Sequence, residues 1–123
     1  EDDTFKDNHV WYMWPNYIFL GQPGPANLSL VPSMPTSEES VRVEVINFFP
    51  GEPSPESIHQ MDTLRDFVFP QDIAAMERQQ VGVRSRGYNQ GRLMVDKEHS
   101  WRSEHATHHF DAMVWVALNG PNY

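Results

Sequence analysis

Ser40-Val41-Arg42-Val43-Glu44-Val45-Ile46-Asn47-Phe48-Phe49 places Val41, Val43, Val45 and Asn47 on one set of alternating positions. Arg42, Glu44, Ile46 and Phe48 occupy the other. A period of two is that of a pleated strand with two unlike faces, one of them charged at its start. Upstream, Val10 to Leu20 is dense in aromatic and β-branched residues, which suit a pleated surface, and Pro15 interrupts it. Gly21-Gln22-Pro23-Gly24-Pro25 is a turn cluster, and Asn27 to Met34 is a second, shorter alternating run. Three runs separated by turns predict an antiparallel meander.

Downstream the period changes. Pro50-Gly51-Glu52-Pro53 breaks the sheet, and Ser54 or Ser57 can cap a helix reaching about Phe67. Ile58, Met61, Leu64 and Phe67 recur along it at helical spacing. Pro70, suited to a first turn, opens a second helix from Gln71 to about Ser85, with Ile73, Met76 and Val81 as a partial apolar stripe. Ser100 or Ser103 can cap a last helix with Ala106, Phe110, Met113, Val114 and Ala117 on one face, ended by Asn119-Gly120-Pro121. Strands first and helices after predict an α+β fold, and 123 residues suit a single domain, 1–123.

Composition narrows the function classes. Nine Lys and Arg against seventeen Asp and Glu give a formal charge of −8, which disfavours binding to phosphate backbones and hence to nucleic acid. No basic amphipathic stretch and no long apolar run point to a membrane. There is no cysteine, so disulfides and thiolate metal sites are excluded, in keeping with a cytoplasmic protein. Neither a Gly-x-Ser-x-Gly elbow nor a phosphate-cradling glycine loop occurs.

Three groups of residues remain as candidates. Asp72, by itself, reads as a helix cap or dipole partner stabilising by about 0.5–2 kcal/mol. His105 and His109 stand four apart with His108 beside them, a spacing that two imidazoles can use on one metal. Ala106, Thr107 and His108 fill the gap, however, so no general-base Glu lies between them. Trp11, Tyr12, Trp14, Tyr17 and Phe19 have the chemistry of a cage for a cation, but aromatics alternating in a strand are more often core.

The segment Gln71-Asp72-Ile73-Ala74-Ala75-Met76-Glu77-Arg78-Gln79-Gln80-Val81-Gly82 resembles the last iron-ligand segment of Rieske non-haem iron oxygenase α-subunits. Asp72, Glu77, Gln80 and Gly82 stand at that family's spacings. The likeness continues through Ser85-Arg86-Gly87-Tyr88, Gln90-Gly91-Arg92, Val95-Asp96-Lys97, Ser100, Ser103-Glu104-His105 and His109-Phe110. It reaches back to Trp14-Pro15-Asn16, so it covers nearly the whole chain. Asp96-Lys97 through His105 looks most like the branch acting on quaternary amines such as carnitine, although the aromatic-ring branch shares the Gln-x-Gly and the closing helix.

The resemblance implies a helix-grip catalytic domain in which Asp72 is the one carboxylate beside two histidines on Fe(II), a donor set suited to that ion. Those histidines, and the Rieske [2Fe–2S] cluster, are then expected in an N-terminal part outside this chain. A small organic substrate and a reductase are the implied partners of the whole protein, with homo-oligomerisation expected and the piece alone inactive. The rival readings are a non-catalytic domain that binds a small ligand and a domain that only oligomerises.

Overall fold

A computed structural model describes residues 4–100 and 102–121. The chain divides into two compact units, residues 1–82 and 83–123.

The first unit opens with the meander. Strands β1 (Thr4–Phe5), β2 (His9–Met13), β3 (Tyr17–Gly21), β4 (Gly24–Pro25), β5 (Leu28–Ser37), β6 (Ser40–Val43) and β7 (Ile46–Phe48) follow in order. β1 pairs with β4 as a small ribbon, while β2-β3-β5-β6 form an antiparallel sheet with β7 also on β5. The interruption expected at Pro15 is the turn between β2 and β3, in which the Trp14–Pro15 peptide is cis. Asn27, 5% exposed, braces the turn cluster. Its Oδ1 accepts from Gln22 N–H at 3.0 Å, and its Nδ2 donates to Gln22 O at 3.1 Å and Pro25 O at 2.7 Å.

The strand expected over 40–49 is split, and its partner explains why. β6 pairs with Ser33 to Ser37 and β7 with Leu28 to Leu30, so both lie along the same strand β5. Between those stretches sits Pro32, which has no N–H for the ladder. Glu44 N–H to Pro32 O, at 3.2 Å, bridges the break. Arg42 and Glu44, two apart on one face, form an ion pair at 2.6 Å. The β5 core is narrow: Ser29 and Val31 are buried, and Ser29 Oγ donates to Asn47 Oδ1 at 2.6 Å.

Helix α1 (Pro55–Thr63) opens as expected, with Ser54 as cap: its Oγ accepts from Ser57 N–H at 3.1 Å, and Pro55 fills the first turn. The buried stripe differs from the expected one. Ser57 is buried, whereas Ile58 and Phe67 are exposed. The expected break before Pro70 does not occur either. A π-helical segment, Leu64–Val68, joins α1 directly to α2 (Phe69–Val83), and Phe69 N–H donates to Leu64 O across five residues.

In the second unit α3 (His105–Asn119) turns Phe110, Met113 and Val114 to partial burial. Gly120, at φ 87°, stops it, a backbone conformation that favours glycine. No helix among the described residues is long and apolar enough to cross a membrane.

Candidate metal-ligand helix and the C-terminal clasp

Asp72 lies on α2, exposed, and makes no hydrogen bond or ion pair among the described residues. Because the π segment carries the helix through from Pro55, the N–H groups ahead of Asp72 are not helix-start orphans. The capping role that the sequence suggested for this carboxylate has lost its basis.

Ile73, Met76, Glu77 and Gln80, on one face of α2, line an open groove of about 500 Å³ with Ser40, Val41 and Val43 of and beside β6. Asp72 flanks this stripe, one residue before Ile73 and one turn before Met76. A smaller cavity of about 220 Å³ lies between the sheet and the stretch from Met61 to Phe69, walled by Leu20, Asn47, Met61, Leu64, Arg65 and Phe69. The α1 and α2 stripes therefore both face the sheet. Of the four residues singled out by spacing, Glu77 and Gln80 line the groove and Asp72 stands at its side. A Cβ added at Gly82 would meet no atom within 4 Å, so nothing local explains that glycine.

The π segment carries charge, and Arg65 also lines the cavity against the sheet. Arg65 lays its guanidinium on Asp66, Nε to Oδ1 at 2.7 Å and Nη2 to Oδ2 at 2.9 Å, and reaches back to Asp62 Oδ1 at 2.8 Å. The guanidinium holds the Asp66 carboxyl below the usual carboxylate range. Sequence reasoning missed this segment.

In the second unit the residues that resembled a family signature build a clasp ahead of α3. Met94 N–H donates to Glu104 Oε2 at 2.7 Å, while Glu104 N–H donates to Met94 O at 2.7 Å. Asp96 accepts from Ser100 twice, at Oδ1 from the N–H (3.0 Å) and at Oδ2 from the hydroxyl (2.5 Å). Ser103 Oγ accepts from Asp96 N–H at 3.1 Å, so this serine closes the clasp instead of capping the helix, whose cap is Glu104 without a side-chain bond. The Ser100 hydroxyl and N–H hold the Asp96 carboxyl below its ordinary range.

The histidines are placed on α3 as the spacing requires, with His105 half-buried and His108 and His109 exposed. The His105 ring stacks on His99, centroids 4.5 Å apart, and its Nδ1 is enclosed without a partner. Among the described residues no group of three or more His, Cys, Asp or Glu is arranged to hold a metal ion. The carboxylate of Asp72 is a hard oxygen donor of the kind that an iron site of mixed ligands takes. Of the candidate cage aromatics, Trp11, Tyr12, Trp14 and Tyr17 are exposed and Phe19 is half-buried.

Residues 1–119 match the family described as ring hydroxylating alpha subunit (catalytic domain). The carnitine monooxygenase oxygenase subunit of Acinetobacter baumannii is 30% identical over 113 residues, covering 90% of this chain and 30% of the relative. That of Escherichia coli K12 is 30% identical over 116 residues, covering 93% and 31%. Among solved structures, the quaternary ammonium Rieske monooxygenase CntA with L-carnitine aligns at a TM-score of 0.80 and 30% identity, covering 89% of this chain and 32% of that one. Its apo form aligns at 0.79. The chain thus spans less than a third of the length of the curated relatives it matches. An antiparallel sheet followed by helices, an α+β fold, is common to them, and this chain belongs to the ring-hydroxylating oxygenase α-subunit family, within its catalytic domain.

Proposed function

We propose that residues 1–123 form one portion of the catalytic domain of a Rieske-type mononuclear iron oxygenase, with Asp72 as the carboxylate ligand of its Fe(II). The observation that carries this reading is the state of Asp72. It is an exposed carboxylate in a helix interior, without a partner among the described residues and without a capping task. Its helix fixes the backbone, the groove beside it is open, and two imidazoles from elsewhere in a longer polypeptide complete a facial set of ligands. Iron bound there supplies the chemistry with dioxygen, and the [2Fe–2S] cluster belongs to polypeptide outside this chain.

The whole protein's substrate is, in this reading, a quaternary amine of the carnitine kind, supported by the relatives and by the clasp built from Asp96, Ser100, Ser103 and Glu104. A reductase partner, homo-oligomerisation and a cytoplasmic location complete the proposal. The exposed β2 edge and its aromatics support association with further polypeptide. The 123-residue chain alone is inactive.

Anaerobic titration of the chain with Fe(II), with Asp72→Ala as control, tests the single-ligand reading. Binding no tighter than a millimolar dissociation constant, about −4 kcal/mol, is expected. Tight stoichiometric binding lost in the variant would show a complete site within the chain and overturn the reading.

A further inference from the structure

The registers of the sheet assign each strand residue to one of two faces, because successive side chains alternate and paired residues share a side. Leu20, Ser29 and Asn47 are one row across β3, β5 and β7, and they line the cavity against Met61, Leu64 and Phe69. Val41 and Val43, on the same side through their pairing with Pro35 and Ser33, line the groove against α2. The helices α1 and α2 and the π segment between them therefore all lie on this helix side.

The opposite face is apolar too. Trp11, Phe19, Leu30 and Ile46 form a row straight across β2, β3, β5 and β7. Met13 beside Tyr17, Leu28 beside Phe48, and Met34 beside Arg42 flank that row. Trp11, Tyr17 and Phe19 thus face away from α2, so they form no cage beside Asp72. Arg42 is the one charged residue in the strands β2, β3, β5, β6 and β7, and Glu44 neutralises it at 2.6 Å. A sheet that is apolar on both faces is built to be a middle layer.

We infer that this outer face docks a second copy of the chain, the two sheets packing back to back about 10 Å apart. The available area is of the right size. Trp11, Met13, Tyr17, Met34, Ile46 and Phe48 are 37–49% exposed. At about 200 Å² for a large side chain they offer roughly 500 Å² per copy, so a pair buries roughly 1,000 Å², where specific interfaces begin. Charge favours the same surface. Two copies of a chain of net charge −8 meet there without an unpaired charge on either face. A two-fold axis suffices, since one patch serves both partners. Association through this face leaves the groove and Asp72 open, and the inference rests on the sheet register alone, not on Asp72 as a ligand.

Sedimentation equilibrium on the 123-residue chain tests it. The parent should be a dimer that half dissociates at roughly 10 µM, the weak end for interfaces near this area. Trp11→Lys on β2 and Phe48→Lys on β7 should each weaken the dimer by more than about tenfold, because each places an unpaired charge in the contact. Ile46→Thr, which keeps a β-branched strand former, should weaken it in the same direction and covers the case that Phe48→Lys does not fold. Val41→Lys, exposed on the helix side, should leave the dimer as it is. Circular dichroism confirms that each variant keeps its fold. A parent still monomeric at about 1 mM overturns the proposal. So does a dimer lost in Trp11→Lys but kept in both β7 variants, which would be edge pairing through β2, or one lost in Val41→Lys, which would place the contact at the groove.

Discussion

Replacing Asp72 by alanine should stabilise this chain, and the sign is the informative part. If Asp72 were a helix cap or dipole partner, its loss would cost about 0.5–2 kcal/mol. In the structure it lies well inside a helical run that begins at Pro55, exposed and without a partner. What remains is intrinsic propensity, by which alanine is better than aspartate by roughly 0.5 kcal/mol in a helix interior. With a urea m-value of about 1–3 kcal/mol/M, the midpoint should rise by roughly 0.2–0.5 M at constant m. Equilibrium unfolding followed by circular dichroism at the helical band reads this directly. A midpoint that falls by a similar amount or more would refute the argument. It would mean that the carboxylate serves the fold, and would remove the observation on which its assignment as a ligand rests.

Other perturbations probe the parts that hold this helix and the clasp. Asn27→Ala removes three hydrogen bonds from a 5% exposed side chain and should cost about 2–3 kcal/mol in the same urea assay. Ser54→Ala should lose about 1 kcal/mol through the cap of α1, with Ser54→Asp retaining most of it. Asp96 has a depressed pKa, so its support of the clasp is fully present above about pH 4, the ordinary aspartate range, and is lost as pH falls through its lower folded value. The protection of the Ser100 amide relative to an unstructured amide at the same pH should therefore fall on acidification, and in Asp96→Asn that acid-dependent step should be absent.

The sheet was legible because period-two alternation survives in short runs, and the turn at Gly21 to Pro25 announced itself in glycine and proline. The split at Glu44 and Val45 was not legible from its own strand. Its cause, Pro32, lies across the ladder and acts only once the register is known. Pro70 misled for a related reason. A proline before an apolar stripe normally starts a helix, but here Pro70 stands in mid-helix, directly after a π turn. The serines ahead of α3 have several available partners, and the choice of Asp96 over the helix end is a tertiary fact. Asp72 was found by spacing and resemblance, whereas its freedom from a structural task could be seen only in the fold.

The most direct test of the central claim is iron content after segment exchange. Residues 1–119 would replace the corresponding stretch of the Acinetobacter baumannii carnitine monooxygenase oxygenase subunit, with and without Asp72→Ala. The account predicts that the folded chimera retains mononuclear iron and that the variant, equally folded, loses it. A chimera that keeps its iron after Asp72→Ala would contradict the account.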